Sequence, residues 1–255
     1  MIKLRPASAP AELTDEVVQA LTDEFKQTGK AVWQKEFIGK ALLDSSHNKC
    51  CFSECKLNEE GKYDEVEHFH PKSLYPNEVV LWSNLLPINK ACNTAKSDHD
   101  TKAEPIINPY LDDPKEHLYL KDYRFIGKTE LGRKTIEVVN LNDWDMWVVP
   151  RFDIGKGLYE LLEALCELAN DYNAGLKNSS RSRNNLVSRL RGLMIEGTEK
   201  KVYSATVASL LLHEEMYFQI RGILQRHSLW DDSFISLEEQ MQYCALDNRS
   251  SQPKP

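Results

Sequence analysis

The segment from Glu67 to Lys96 carries the side chains of this sequence that are best suited to chemistry. Glu67 and His68 are adjacent, and Asn93 and Lys96 follow on a later stretch. A neutral imidazole such as His68 can accept a proton from water near neutral pH. The carboxylate of Glu67 and the amide oxygen of Asn93 are hard oxygen ligands that suit Mg²⁺ or Mn²⁺. This combination predicts hydrolysis of a phosphodiester, in which a bound cation neutralises charge on the phosphate.

A helix after Leu86 would line up three polar side chains. Asn89, Asn93 and Lys96 are spaced at i, i+4 and i+7, so they would share one helical face. That face could look towards a strand that carries His68.

The strand that carries Glu67 and His68 must end close to these residues. In an ideal strand, Glu67 and His68 would point to opposite sides of the sheet. Both can serve one site only if the strand ends or kinks there, and Pro71 favours such an ending.

The order of these motifs resembles that of the HNH endonuclease family. The motifs read Glu67-His68, then Asn84-Leu85-Leu86, then Cys92-Asn93 with Lys96 three residues later. By this resemblance His68 is the general base, Asn84 the middle asparagine that braces the loop, and Asn93 the last metal-ligand position. The catalytic set is then His68, Asn84 and Asn93, and the metal set is Glu67, His68 and Asn93. Glu67 replaces the usual aspartate of the family.

Two longer runs narrow the resemblance to one HNH subfamily. They are Glu67–Ser73 and Pro105–Pro109, the latter followed by Asp112–Pro114. Both resemble the nuclease subunit of the Septu anti-phage defence system, which also occurs beside retrons. The similarity covers roughly residues 1–150. It implies an effector that cleaves nucleic acid with a Mg²⁺ or Mn²⁺ cofactor, an ABC- or SMC-type ATPase as partner, and retron components as further candidates.

Three further residues could support the site or bind phosphate. His70 could ligate the cation, contact phosphate or pack beside Pro71, and it shares a face with His68 if the strand continues. Lys72 and Lys96 could bind phosphate or be ordinary solvated lysines, and Lys96 is the better placed.

A structural zinc site is a further possibility, because HNH proteins often carry two Cys-x-x-Cys knuckles. This sequence departs from that pattern: three residues separate Cys51 from Cys55, and Asn89 stands where Cys92 would have a partner. Four ligands could still come from Cys50 or Cys51, Cys55, Cys92 and a histidine such as His47, since tetrahedral zinc accepts mixed sulfur and nitrogen ligands.

Composition fits a globular protein without a membrane span. The chain has 255 residues, 41% of them apolar, and a net charge of -7. That charge gives no general attraction to phosphate, so nucleic-acid binding needs a local basic patch or a basic partner. No apolar run is long enough to cross a membrane and no leader is visible, which predicts a cytoplasmic protein. Six cysteines in so long a chain favour reduced thiols or metal ligands over disulfides.

The pattern predicts an α+β, mainly helical fold in four parts. Residues 1–48 hold two helices, over Glu12–Phe25 and Val32–Leu42. Residues 49–151 form the nuclease core with a ββα-metal motif, followed by short strands and loops that include Thr135–Val139. Residues 152–246 form a helical region for packing or partner docking, and residues 247–255 form a disordered tail.

Two rival functions remain. In the first, the same chemistry acts on RNA such as tRNA, although DNA is the expected substrate. In the second, the cysteine and histidine cluster holds a structural zinc in a noncatalytic adaptor. Zinc without cleavage would favour the adaptor, and metal-dependent cleavage that needs His68 would favour the nuclease.

Overall fold

The structure, a computed structural model, describes residues 1–5, 7–57 and 64–248. It is mainly helical with two small sheets, which agrees with the predicted fold class. The chain forms two compact units. The first comprises residues 3–118 and 126–141 with Met1, and the second comprises residues 119–125 and those from 142 onward with Ile2. The four-part division drawn from sequence stays a prediction.

Two helices open the first unit. Helix α1 (Asp15–Thr28) begins where the Thr14 hydroxyl accepts a hydrogen bond from the backbone of Val17, and it ends at Gly29, whose φ is 68°. Helix α2 (Glu36–Ser45) begins later than the apolar pattern predicts.

The predicted start of the second helix at Val32 was wrong. Lys35, the residue before α2, has extended backbone angles, so Val32 and Trp33 lie in the connection. Their side chains still pack in the apolar cluster that both helices form with Val79, Val80 and the start of the second strand. The apolar pattern therefore predicted burial correctly but not backbone conformation.

A strand pair and a short helix follow. Strand β1 (Asp64–His68) pairs antiparallel with β2 (Leu85–Asn89), with Glu67 opposite Leu86 and His68 opposite Leu85. Helix α3 (Lys90–Lys96) follows at once, because the Asn89 side chain accepts a hydrogen bond from the backbone of Ala91 and so caps it. The predicted helix after Leu86 therefore exists, but it begins only at Lys90.

The stretch after α3 contains helix as well as strand. Helix α4 (Pro114–His117) leads into β3 (Leu118–Lys121), and β4 (Arg124–Gly127) leads into helix α5 (Glu130–Val138). The strand or loop predicted at Thr135–Val139 was therefore wrong. The Thr129 hydroxyl caps α5, and the Thr135 side chain turns inward, donating to Leu131 and accepting from the backbone of Ile107.

The second unit is a helical assembly. A π-helical turn (Trp144–Val148) runs into α6 (Val149–Asn173), which is followed by α7 (Ser180–Glu196), α8 (Ser204–Leu211), α9 (Glu215–Arg226) and α10 (Asp232–Cys244). Buried residues of α6, α7, α9 and α10 recur on one face of each helix, as the predicted packing helices require.

A second small sheet has the order β4-β3-β5, where β5 is Asp247–Asn248 and runs parallel to β3. The tail predicted to be disordered therefore begins with two residues in a strand, and residues 249–255 lie outside the described part of the chain. Among the described residues, no helix combines the length and the apolar character needed to cross a membrane.

Candidate active site

The end of β1 fixes the first histidine of the motif. The Nε2 atom of His68 lies 2.9 Å from the carbonyl oxygen of Val79. A carbonyl can only accept, so Nε2 carries the proton and Nδ1 of the neutral ring keeps its lone pair. The ring of Trp33 packs edge-on against His68, with 4.7 Å between centroids. The imidazole is therefore held in one orientation and one tautomer.

Burial keeps this imidazole uncharged. Burial, helped by the nearby Lys72 ammonium and opposed by the bond to Val79, lowers the pKa of His68 to about 4. His68 is therefore neutral at pH 7, the state in which Nδ1 can accept a proton.

A buried ion pair lies behind the histidine. The Lys96 ammonium is 2.5 Å from Oε1 of Glu67 and donates a hydrogen bond of 3.1 Å to the backbone carbonyl of His68. The Lys96 side chain is fully buried and that of Glu67 is 7% exposed. Burial raises the pKa of Glu67, and the Lys96 ammonium opposes that shift. Lys96 thus occupies a supporting position, because its amine is bonded to Glu67 and to the backbone of His68.

The asparagine on α3 faces a carboxylate that the sequence analysis missed. Nδ2 of Asn93 donates a hydrogen bond of 2.6 Å to Oε2 of Glu65, which leaves the Asn93 amide oxygen for another partner. Glu65 precedes Glu67 by two residues on β1, so both carboxylates project from one face of the strand. Strand alternation was the signal that could have identified Glu65.

These side chains surround one cleft. It has a volume of about 310 Å³ and is lined by Trp33, Gln34, Glu65, Val66, Glu67, His68, Lys72 and Asn93. The structure thus brings together the predicted Glu67, His68, Lys72 and Asn93. The Lys72 ammonium lies 5.0 Å from the centre of the Trp33 ring.

The cleft offers hard oxygen donors. Glu65, Glu67 and Asn93 line it together, and carboxylate and amide oxygens suit Mg²⁺ or Mn²⁺ rather than a soft metal. As the side chains stand, no group of three or more His, Cys, Asp or Glu in the described ranges is arranged to hold a metal. A cation in this cleft therefore stays a prediction, for which two carboxylates and one amide are the available oxygen ligands.

Asn84 lies outside the cleft and ties its loop together. Its Oδ1 accepts from the backbone of His70 at 2.7 Å, and its Nδ2 donates to the carbonyls of His70 and Glu78, each at 3.1 Å. Asn84 is therefore a positioning residue, as the predicted role of loop brace requires, and its side chain does not face reacting atoms.

His70 also lies outside the cleft, because β1 ends at His68. Its Nδ1 is 2.7 Å from the Thr101 hydroxyl, and its ring lines a second pocket with Trp82 and Tyr110. The strand does not continue past His68, so His70 does not share a strand face with it. His70 is thus not placed to bind the same cation.

Four cysteines converge in the interior of the first unit. Cys51, Cys55 and Cys92 all contact the sulfur of Cys50, and all four are at most 2% exposed. Burial alone would raise the pKa of the Cys50 thiol, but hydrogen bonds from the other three thiols and from Ser53 hold it well below its ordinary value.

The structure does not favour His47 as a ligand in that cluster. His47 is exposed, in contrast to the buried thiols, so Cys50 is the better candidate for a fourth ligand beside Cys51, Cys55 and Cys92. The cysteine set named from sequence is therefore brought together, with Cys50 added to it. Whether zinc binds there stays a prediction.

The chain was compared with family models and with individual known proteins. No family model matches it. It is 42% identical over 231 residues to the Septu protein PtuB of Bacillus thuringiensis, and the match covers 91% of this chain and 90% of the relative. A Septu protein PtuB of Bacillus mycoides is 29% identical, with 56% of this chain and 63% of that protein covered. An identity of 42% across nearly the full length of both chains shows that this protein belongs to the Septu PtuB family.

Proposed function

We propose that this protein is a divalent-metal-dependent nuclease of the HNH type that hydrolyses phosphodiester bonds, with DNA as the first candidate substrate. The observation that carries the proposal is the cleft that His68 lines together with Glu65, Glu67 and Asn93. The order of β1, β2 and α3, with His68 at the end of β1, also supports it.

In this mechanism His68 is the general base. Its Nδ1 takes a proton from a water molecule, the water oxygen bonds to phosphorus, and the phosphorus–oxygen bond of the ester breaks. The leaving oxygen receives a proton from solvent. The bond from Nε2 to Val79 stabilises the charged ring that forms.

The other cleft residues have distinct tasks. A cation held by Glu67 and Asn93, with Glu65 beside them, would neutralise charge on the phosphate and on the leaving oxygen. Lys72 lies at the same cleft and is half-buried, so its ammonium can contact a phosphate oxygen. Lys96 holds Glu67 in place and ties α3 to the end of β1.

We also propose that the four-cysteine cluster binds a structural zinc ion. Cys51, Cys55 and Cys92 surround the buried Cys50 thiol, and zinc prefers such sulfur ligands, although the described side chains do not stand in a metal-holding arrangement. Zinc in the purified protein, lost in Cys55→Ser but retained in Cys244→Ser, would support this site. A metal-free protein that is fully folded would contradict it.

Membership of the Septu PtuB family supports a role in anti-phage defence within a system that has partner proteins. We propose that one partner is an ATPase of the ABC or SMC type. The second unit offers a surface for such a partner. Trp144, Met146 and Phe152 are 57%, 44% and 48% exposed, and Arg124 lies over the Trp144 ring. Exposed Trp and Arg side chains are typical of strong protein contacts. Around Leu211 in the same unit, Leu211 itself is buried, but Leu210, Leu212 and Met216 are half-buried and Phe218 is 45% exposed.

One experiment tests the nuclease. The protein is purified with and without its neighbouring ATPase and is offered plasmid DNA, linear DNA and total tRNA with Mg²⁺, Mn²⁺ or EDTA. Cleavage that needs the metal, is lost in His68→Ala and persists in the matched control His227→Ala supports the proposal. His227 is in the second unit, bonded to Asn173. Equal activity of His68→Ala and wild type would contradict the assignment.

The same assay separates the rivals. Cleavage of tRNA with no effect on DNA selects the RNA substrate. Bound zinc with no cleavage of any substrate, even with the ATPase present, selects the noncatalytic adaptor.

A further inference from the structure

A second pocket of the first unit lies beside the cleft and shares no lining residue with it. Its volume is about 320 Å³, at the lower end of the range of roughly 300–1,000 Å³ for small-ligand sites. The apolar part of its wall comes from Ala7, Leu81, Trp82, Tyr110 and Leu111. It therefore suits one flat, mostly apolar group.

The imidazole of His70, which lines this pocket, has a nitrogen that can accept a hydrogen bond. The Thr101 hydroxyl donates its proton to the carbonyl of Phe69 at 2.8 Å, so it can only accept from Nδ1 of His70. Nδ1 therefore carries the ring proton, and Nε2 is left with a lone pair. The tautomer is opposite to that of His68.

The amide of Asn108 presents a donor. Its Oδ1 accepts from the backbone of Tyr110 at 3.0 Å, which fixes the orientation of the amide. Its Nδ2 has no protein acceptor within the described ranges, and Asn108 lines the pocket. An acceptor and a donor are thus available to one ligand.

The indole of Trp82 is held as a flat wall. Its Nε1 donates a hydrogen bond of 2.8 Å to the carbonyl of Ala7, so the ring orientation is fixed and its polar atom is already satisfied. A base stacks readily on such an aromatic face.

The charged groups at the pocket are already paired. Glu78 is 2.5 Å from the Lys102 ammonium, and the Asn84 amide is used by backbone partners. The pocket therefore favours a neutral ligand that is planar and has both donors and acceptors on its edge. Nucleic-acid bases have these properties.

The position of the pocket fits a base close to the cut. His68 and His70 are two residues apart, so their backbones are separated by at most roughly 7 Å. Val79 holds His68 in the cleft, and the preceding Glu78 lines the pocket. Successive nucleotides on one strand are about 3.4 Å apart when stacked, so a base one or two steps from the scissile phosphate can reach the pocket.

We propose that the pocket lined by His70, Trp82 and Asn108 binds one unpaired base of the substrate strand, next to the phosphodiester that is cut. The proposal rests on the proposed nuclease function. Because a paired base cannot enter, the substrate must be single-stranded at this position or must have its base flipped out of the duplex.

The first experiment measures binding alone. The full chain with His68→Ala, which cannot cut, is mixed with short DNA or RNA oligonucleotides that carry the fluorescent base 2-aminopurine at successive positions. We expect quenching at one or two neighbouring positions. Two changes should weaken it about tenfold in affinity: Trp82→Leu, which removes the stacking face, and Ser83→Trp, which fills the pocket from an exposed position. The matched control is Trp230→Leu in the second unit, a tryptophan that is half-buried like Trp82, and thermal melting verifies that each variant folds.

The second experiment measures cleavage. An abasic site at the quenched position should slow wild-type cleavage about tenfold and should not slow Ser83→Trp further. Comparison of the DNA and RNA oligonucleotides identifies which nucleic acid supplies the base.

The outcomes separate this proposal from the nuclease itself. Cleavage that ignores the abasic site, with equal quenching in all variants, overturns the base pocket and leaves the nuclease intact. Position-specific quenching without cleavage of any substrate supports the pocket and removes the nuclease. Loss of ATPase co-elution in Trp82→Leu and Ser83→Trp, with unchanged oligonucleotide binding, shows instead that a protein side chain occupies the pocket and overturns the proposal.

Discussion

His68 and His70 are two residues apart, yet the structure gives them opposite settings. His68 lines a polar cleft with its proton on Nε2, held by a carbonyl, whereas His70 lines an aromatic pocket with its proton on Nδ1, held by a hydroxyl. Each also has a neighbouring lysine–glutamate pair, buried at His68 and partly exposed at His70. The comparison shows that the role of a histidine is set by what holds its other nitrogen and by the point at which its strand ends.

The largest expected difference between the two histidines is catalytic. Loss of the general base in His68→Ala should reduce single-turnover cleavage about 100- to 10,000-fold. His70→Ala removes one hydrogen-bond acceptor and should cost at most about tenfold. Rates are measured at saturating Mg²⁺ on one substrate. Similar losses in both variants would break the comparison.

The two ion pairs should differ strongly in stability. Lys96→Met leaves the Glu67 charge buried, so the free energy of unfolding should fall by about 3–5 kcal/mol in urea melts. In Lys102→Met it should change by about 0–1 kcal/mol, because the Lys102 side chain is 40% exposed. Adding Glu67→Gln to Lys96→Met should restore part of the loss. Equal losses of unfolding free energy in Lys96→Met and Lys102→Met would show that burial does not distinguish the two sites.

Acid should affect the two histidines unequally. The folded-state pKa of His68 is about 4, below the value of about 6.5 in the unfolded chain. The unfolded state therefore binds a proton first, and the stability present above pH 6.5 is lost as the pH falls towards 4, by roughly 3 kcal/mol.

The test is a set of urea melts from pH 7 to pH 4 in EDTA. His68→Asn should lose less stability than wild type across this range. Burial also lowers the pKa of His70, but that side chain is less enclosed, so His70→Asn should differ less from wild type. If the unfolding free energies of wild type and His68→Asn change equally with pH, the lowered pKa of His68 is contradicted.

The smallest effects concern the cation. Asn93→Ala and Glu65→Gln each remove an oxygen from the cleft and should raise the Mg²⁺ concentration for half-maximal cleavage by about 10- to 100-fold. Excess Mn²⁺ should restore part of the activity. Glu78→Gln, at the other pocket, is the matched control. An unchanged metal titration for Asn93→Ala would leave Glu67 and Glu65 as the only supported ligands.

The sequence anticipated the parts of the site that depend on local order. The adjacent Glu67 and His68, the end of the strand after them, and Asn93 on the following helix were all predicted, and the structure lines one cleft with these three side chains. Spacing along a helix or strand decides such relations, and spacing is visible in a sequence.

What the sequence could not supply depends on tertiary contacts. The sequence left open whether Lys96 binds phosphate, supports the site or is solvated, and only the packing of α3 against β1 shows that its amine is paired with Glu67. The helix at Glu130–Val138 was missed because its inward side chain, Thr135, is a β-branched residue whose hydroxyl is satisfied by a distant loop. Glu65 was visible from strand alternation and was overlooked.

The Lys96 ammonium also sets the charge that the cleft presents to a polyanion. With Glu65 and Glu67 ionised, Lys72 and Lys96 balance them, so the cleft and its backing carry no net formal charge. A divalent cation would add two positive charges to this balance. Attraction of a phosphodiester would then depend on the metal. The two ligands would therefore bind in a fixed order, with the cation before the nucleic acid. The strength of substrate binding would accordingly rise and fall with free Mg²⁺ in a protein whose overall charge is -7.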